Sequence, residues 1–393
     1  MHKEDKSDSK LNQPSMCYVD RIQYAHAVPC KWKDILRIDT MNGNSQWQDA
    51  VAKEVAALLN MGCFDVLTQG HKPSKDYQYV HMHWVYAVKP NLTYKARLVC
   101  DGSCVDPKGL DTRATVVKSI SVRLLDLVAD AWNKEVLTGD IGNAFIQSST
   151  KEKIYTCFGD EFGDLKGCLA IIVRALYGLT TSAERFRSRF ANLLRTMGFK
   201  SCRYDRDLWM IPCPTGNGYD YICTHVDDFK IVADDPHHYL AQISGALFVK
   251  SQGPRSYYLG NNYTYHPQHH VWTYNCKTYE EEAVCKAEEL LGCLPMKKTP
   301  LPVNDCHPEM DTSPLLDLKD HRTYQVLLGM LQWNYSIGRI ELGPAVSSLN
   351  RFGTCPRQGH LLLIKHVFSY LKYSKSKPHN IAIDSNPMEY ERS

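Results

Sequence analysis

The sequence predicts an α+β fold in which an antiparallel sheet is layered on helices. From residue 117 to 234 the order of elements is helix, strand, strand, helix and then a hairpin, so alternation is broken by an antiparallel pair, which disfavours a doubly wound parallel sheet. From Lys277 onward the apolar pattern becomes mainly helical. The 393 residues, 44% hydrophobic and 23% charged, fit two or three globular domains or one multi-lobed enzyme and exclude a disordered, collagenous or coiled-coil chain.

Residues 1–12 are nearly all polar or charged and are expected to be disordered. A helix is expected from Gln46 to Asn60, capped by Asn44 or Ser45, with Trp47, Ala50, Val51, Val55, Leu58 and Leu59 as its apolar stripe. His83–Val88 and Tyr94–Cys100 read as a hairpin around Lys89-Pro90-Asn91-Leu92. Lys95 and Arg97, two apart on a strand, share one face. Val117, Ile120, Leu124, Leu127, Val128 and Ala131 repeat at helical spacing. Val136-Leu137 starts a short buried strand ending at Gly139-Asp140, and Cys168–Val173 forms another. A helix from Ser182 buries Phe186, Phe190, Leu193, Leu194 and Met197 and closes at Gly198. Strands Tyr219–Val226 and Phe229–Ala233 flank Asp227-Asp228. A helix over 236–248, strands at Tyr257–Tyr265 and Val271–Tyr274, and helices over 278–292, 320–336, 342–352 and 358–373 complete the chain.

The net charge of +3, from 46 basic and 43 acidic residues, does not announce a nucleic-acid partner. The fifteen cysteines are odd in number, irregularly spaced and without a CxxC pair, so they support neither a disulfide framework nor a zinc finger. Met1–Gln13 is too polar for a signal peptide, and no apolar run has the length of a membrane span. An intracellular protein with mostly reduced thiols follows.

The carboxylates carry the chemistry. Asp227-Asp228 stands at a hairpin tip between apolar strands, and Asp140 ends another buried strand. Adjacent carboxylates repel, and crowding them raises a pKa unless a cation compensates. Converging acids at one sheet end are what two divalent ions, about 3.5–4 Å apart, need to clamp an in-line phosphoryl displacement. Mg²⁺ suits such a site through its preference for oxygen ligands.

These residues stand in a wider pattern. Trp47-x-x-Ala50-x-x-x-Glu54, Lys95-Ala96-Arg97-Leu98-Val99, Gly139-Asp140-Ile141-Gly142-Asn143-Ala144-Phe145, Leu176-Tyr177-Gly178-Leu179, Val226-Asp227-Asp228, Tyr258-Leu259-Gly260, Leu328-Gly329-x-Leu331 and the stretch from Ala345-Val346 to His360 occur in order. From about Trp47 to Lys372 the chain resembles the reverse transcriptase of copia-type LTR retrotransposons. The resemblance implies a right-hand polymerase of fingers, palm and thumb that is an RNA-directed DNA polymerase using two Mg²⁺ ions, with Mn²⁺ as a substitute. Its partners would be an RNA template, a DNA primer and dNTPs, with no membrane.

By the same resemblance Asp140, Asp227 and Asp228 bind the metals, joined by the backbone carbonyl of Ile141. Lys95 and Arg97 hold the triphosphate, and Phe145 excludes a ribose 2′-OH. Gly178 and His225 approach the nucleotide, and Tyr258, Leu259 and Gly260 hold the primer terminus. Arg185, Arg187, Arg189 and Arg195, Lys297-Lys298, and Lys372, Lys375 and Lys377 are candidate phosphate contacts.

The chain departs from the family pattern at His225, where Tyr is common, at Thr180-Thr181, which replace a basic-polar pair, and at Phe186, where Trp is usual. The expected divisions are a variable or disordered segment at 1–45, fingers and palm at 46–265, a thumb or connection-like helical region at 266–375, and the truncated start of an RNase H-like region at 376–393 without RNase H activity. Protease, integrase-finger and Gag-knuckle motifs are not found. Two alternatives stay open: an inactive retrotransposon-derived remnant that binds nucleic acid, and another palm-like two-metal enzyme.

Overall fold

The computed structural model describes residues 22–23, 26–68, 70–89, 91–216, 218–303, 307–374 and 379–384. The chain divides into two compact units, Met1–Ala114 with Phe145–Arg189, and Thr115–Ala144 with Phe190–Ser393. Both mix helices with mainly antiparallel strands, the α+β class expected from the sequence.

The first unit contains helices α1 (Trp32–Asn42) and α2 (Gln46–Asn60). Helix α1 falls within the 1–45 stretch expected to be variable or disordered, and its sequence announces it weakly, since its buried apolar face is only Ile35 and Ile38. Its value lies in Asp39, 1% exposed, whose carboxylate accepts hydrogen bonds from the backbone N–H groups of Trp47 (3.2 Å) and Gln48 (3.0 Å). The preceding helix thus satisfies the first orphan donors of α2. Of the two expected local caps, Ser45 does not serve, since its hydroxyl bonds Asp49 at 2.9 Å, whereas Asn44 Oδ1 accepts from the Gln46 N–H at 3.4 Å. Helix α2 buries Trp47, Val51, Val55 and Leu58, whereas Leu59, included in the expected stripe, is exposed.

The Trp47 ring meets Tyr94 edge-on at 4.6 Å and Tyr86 at 5.7 Å, pinning α2 to the hairpin of Met82–Val88 and Tyr94–Cys100. That hairpin sends Ala96, Leu98 and Cys100 into the core and leaves Lys95 and Arg97 on its other face. A second sheet, in the order Phe64–Val66, Leu169–Ile172, Ile154–Cys157, Gln78–Tyr79, adds Ile154, Ala170 and Ile172 to the same core.

In the second unit, helix α3 (Ser119–Ala131) buries Ser121, Val122, Leu125, Asp126 and Ala129. This is not the apolar repeat that announced the helix: Ile120, Leu124 and Leu127 are exposed. The buried face instead carries Val122, Leu125 and Ala129 together with Asp126, which pairs with Lys230 and Arg255. Helix α4 (Ser182–Thr196) enters this unit at Phe190, which meets Phe229 edge-on at 6.1 Å. Helix α5 (Pro236–Ala246) starts at Asp235, whose side chain accepts from the His238 N–H at 3.2 Å.

The central sheet has six strands in the order Lys200–Ser201, Leu208–Pro212, Tyr219–His225, Asp228–Ala233, Glu135–Ile141, Val249–Pro254, every neighbour antiparallel. The last strand, Val-Lys-Ser-Gln-Gly-Pro, has neither alternation nor β-branched content beyond Val249, so only its pairing with Glu135–Ile141 identifies it.

A second, four-stranded sheet follows, in the order Tyr257–Tyr258, Asn261–His266, Val271–Asn275, Ile381–Ile383. The single expected strand Tyr257–Tyr265 is two strands because Leu259 and Gly260, at φ 47° and 86°, form a two-residue turn between Tyr258 and Asn261. The stretch expected to begin an RNase H-like region supplies the fourth strand of this sheet.

Helices α6 (Lys277–Leu291), α7 (Leu318–Ile337), α8 (Gly343–Asn350) and α9 (Gln358–Ser374) pack around Ala283, Leu327, Leu331, Leu349, Ile364 and Phe368. Arg339, 2% exposed, ties them together through Glu280 at 2.5 Å and Glu341 at 2.6 Å. No helix of the described residues is long and apolar enough to cross a membrane.

Candidate active site

The central sheet brings Asp140, Asp227 and Asp228 to one edge of adjacent strands. Asp228 opens its strand and lies directly opposite Asp140, while His225 is the residue paired with Asp228 across the hairpin. The turn is therefore Val226-Asp227, one residue earlier than the sequence suggested. Val226 sits at φ 56°, a left-handed conformation that costs a β-branched residue about 1–2 kcal/mol and persists only where the surroundings enforce it. The enforcement is visible: the Ile141 N–H donates to the Asp227 carbonyl at 2.8 Å, fixing the turn against the end of the Asp140 strand.

The glycines beside Asp140 have physical reasons. A Cβ at Gly139 would lie 2.3 Å from the Phe229 ring, the residue opposite it in the sheet. One at Gly142 would lie 2.5 Å from the Phe248 ring and 3.0 Å from Lys250 Cβ.

The electrostatics are those of crowded acids. Burial, then the charges of Asp227 and Asp140, push the Asp228 carboxyl up to about 7, and Lys250 opposes the rise. Lys250 Nζ lies 2.6 Å from Asp140 Oδ2. Sequence reasoning missed Lys250; its strand carries no pattern, and nothing but sheet pairing brings it to Asp140.

Below the acids lies a second network. Lys230, fully buried and two residues after Asp228 on the same face of its strand, places Nζ 2.5 Å from Asp126 Oδ1. Arg255 reaches the same oxygen at 2.9 Å, and the Tyr263 hydroxyl donates to Asp126 Oδ2 at 3.1 Å. Lys230 Nζ also stands 5.0 Å from the Tyr263 ring centroid and 5.4 Å from that of Tyr258. The acid strand, α3 and the Tyr258–Tyr263 hairpin are thereby joined through one carboxylate.

Tyr258 itself is 3% exposed, with its hydroxyl 3.6 Å from Cys223 Sγ. Its side chain anchors the hairpin from inside, and the Leu259-Gly260 turn packs near Ile337 and Trp333 of α7. The His225 ring centroid is 6.5 Å from that of Trp333.

The remaining expected residues gather in the first unit around one ring. The Arg97 guanidinium lies over Tyr177 at 5.0 Å, and the half-buried Phe145 ring is 5.0 Å from the same Tyr177. The Tyr177 carbonyl accepts from the Cys100 N–H at 2.8 Å, which sets the Leu176–Leu179 turn onto the basic strand. Gly178, at φ 88°, comes so close that a Cβ would stand 2.1 Å from the Cys100 carbonyl oxygen. Glu54 faces Lys95 and Arg97 from α2, and burial outweighs them in raising its pKa.

The arginines of α4 have partners within the chain, while Arg185 and Arg187 are half-buried and Arg189 and Arg195 stay exposed. Arg185 Nε donates to the Ser149 carbonyl at 3.2 Å, Arg189 donates to that of Gln147 at 2.5 Å, and Arg195 lies over Trp209 at 5.4 Å. Lys372 pairs with Glu288 at 2.7 Å, Lys297 and Lys298 are exposed, and Lys375 and Lys377 lie outside the described residues.

Among the described residues, Cys213, Asp220 and Asp234 bring three metal-capable atoms within 4.8 Å of one another. Their cation is already a side chain: Lys134 Nζ is 2.8 Å from Asp220 and 2.7 Å from Asp234, with its side chain fully buried.

With this geometry in view, the relatives are informative. The reverse transcriptase (RNA-dependent DNA polymerase) family profile matches residues 65–301. The retrovirus-related Pol polyproteins of transposons RE1 and RE2 from Arabidopsis thaliana are each 26% identical over 342 residues, covering 84% of this chain and 22% of theirs. A putative transposon Ty5-1 protein from Saccharomyces cerevisiae is 27% identical over 242 residues, covering 60% of this chain and 76% of its own. The chain thus spans about a fifth of the length of the RE1 and RE2 polyproteins. The profile match covers more than half of the chain and includes Lys95, Arg97, Asp140, Gly178, Asp227 and Asp228, so this chain belongs to the reverse transcriptase (RNA-dependent DNA polymerase) family, in its copia-type branch.

Proposed function

We propose that this chain is the RNA-directed DNA polymerase of a copia-type retrotransposon, transferring a nucleotide from a dNTP to a primer 3′-OH on an RNA template. The observation that carries the reading is the register that sets Asp140 opposite Asp228, with Asp227 in the turn tied to Ile141.

Divalent metal ions fit this donor set. All its side-chain donors are carboxylate oxygens, and burial, then the charges of Asp227 and Asp140, hold the Asp228 carboxyl near 7, a penalty on its ionised form that a bound hard cation would offset. Asp140, Asp227, Asp228 and the Ile141 carbonyl would hold two Mg²⁺, or Mn²⁺ in their place. When bound, such ions activate the attacking hydroxyl and stabilise the leaving pyrophosphate.

The other residues bind and select. Lys95 and Arg97 offer two cations on one strand face to a triphosphate, and Tyr177 stacks on the Arg97 guanidinium to hold its orientation. Phe145, packed on Tyr177, would exclude a ribose 2′-OH by steric contact. Gly178 lets the turn approach the basic strand without a side chain. His225 would approach the nucleotide, and the Leu259-Gly260 turn, anchored by Tyr258, would support the primer end. In this reading the first unit holds the fingers and the central sheet is the palm. The α6–α9 bundle is the thumb.

Purified protein should extend oligo(dT) on poly(rA) with Mg²⁺ or Mn²⁺. Asp227→Asn should lower incorporation by at least about a hundredfold, given several kcal/mol of transition-state stabilisation from the ions. Absence of incorporation by the wild type with either ion would refute the activity.

A further inference from the structure

The pair between Lys250 and Asp140 has features that an incidental surface contact lacks. In the pairing with Glu135–Ile141, Val249 lies opposite Ile141 and Ser251 opposite Asp140, so Lys250 is the extra residue of a β-bulge. A bulge bends its strand and re-aims a side chain. Gly142 leaves the space this requires, since a Cβ there would meet Lys250 Cβ at 3.0 Å and the Phe248 ring at 2.5 Å. The Gly142 N–H donates to the Phe248 carbonyl at 2.9 Å, which fixes the start of the bulged strand beside Asp140.

The outcome is an ammonium 2.6 Å from Asp140 Oδ2. Its environment contrasts with that of Lys230, two residues along the strand from Asp228. The Lys230 side chain is 0% exposed and locked to a buried carboxylate, whereas the Lys250 side chain is 57% exposed and its partner Asp140 26%. A buried pair is costly to break, but a half-exposed one is held by little and its ammonium is rehydrated on leaving.

We propose that Lys250 is a displaceable counter-ion of the metal site: it neutralises Asp140 while no divalent ion is bound and competes with the ion for the same carboxylate oxygen. The inference rests on the reading that Asp140, Asp227 and Asp228 hold divalent metal. It assigns Lys250 a positioning role that keeps Asp140 aligned in the metal-free protein and sets how tightly the site takes its ions. A monodentate ammonium loses to a divalent ion bound by several oxygens at once, so the exchange runs toward metal binding at working concentrations.

The test is titration of the full chain with Mn²⁺ alone, without nucleic acid or nucleotide, reading free Mn²⁺ by electron paramagnetic resonance. Lys250→Met should bind Mn²⁺ about two- to fivefold more tightly than wild type, the range set by a partly exposed pair. Lys250→Arg, which keeps the charge, should stay within about twofold of wild type. Circular dichroism of each variant verifies folding. Unchanged or weaker binding by Lys250→Met, or equal tightening by Lys250→Arg, would overturn the competition while leaving the metal site intact. Wild-type binding that Asp140→Asn does not weaken would instead overturn the metal reading, and this inference with it.

Discussion

At the scale of single residues, the burial of Asp228 beside two other acids has a measurable consequence. Its carboxyl is held up to about 7 by burial and by Asp227 and Asp140, so below that pH the metal-free protein keeps a proton there. A metal ion binds the deprotonated carboxylate and must release that proton. The sign follows: affinity for Mn²⁺ should rise with pH up to about 7, by as much as about tenfold per unit, and level off above. Titrations between about pH 6 and 8 check this, and Asp228→Asn should lose the dependence. A flat wild-type profile would show that Asp228 is already ionised throughout. Gly139, Gly142 and Gly178 belong to the same scale, because each leaves space that Phe229, Lys250 with Phe248, or the Cys100 carbonyl occupies.

At the scale of elements, the acid strand is held in place by its cross-links as much as by its sheet. Asp126 on α3 receives Lys230 from the acid strand, Arg255 from the segment after the bulged strand, and Tyr263 from the next sheet. Removing the carboxylate strands two buried cations, whereas removing Lys230 leaves Asp126 with Arg255 and Tyr263. Asp126→Ala should therefore cost about 3–5 kcal/mol, and Lys230→Met distinctly less. Urea denaturation of both variants decides this, and equal losses would show that the network is not centred on Asp126. Asp126 sits on the face of α3 that the apolar repeat assigns to solvent. Hydrophobic periodicity cannot weigh an internal acid whose partners lie more than a hundred residues away in sequence.

At the scale of the whole molecule, the apolar interior is not one core. One cluster around Trp47, Leu98 and Ile172 lies in the first unit, while those around Val122, Val232 and Tyr274, and around Leu327, Leu331 and Phe368, lie in the second. Separate cores predict unfolding that departs from two-state behaviour. Leu331→Ala, at a fully buried position, should remove about 2–5 kcal/mol from the α6–α9 bundle and lower one calorimetric transition. The transition of the first unit should stay where it is. A single transition that shifts as a whole would instead show that the cores unfold together. The same scale explains the near-neutral net charge. Acids gathered at Asp140, Asp227 and Asp228 offset cations such as Lys95 and Arg97, so a small total does not describe either site.

The sequence by itself determined the local elements and the identity of the acids. Helix α2, the Lys95–Arg97 hairpin face and the strands around Asp140 and Asp227-Asp228 follow from periodicity and turn chemistry, which act over a few residues. The order of the motifs also carried the family. Only the tertiary structure decided the cap of α2 by Asp39, the buried face of α3, the strand Val249–Pro254 and the meeting of Lys250 with Asp140. Each of these depends on a hydrogen bond or charge pair between residues that no local pattern connects. Asp39 and Asp126 look like surface acids in sequence, and their burial is affordable only because distant N–H groups or cations satisfy them.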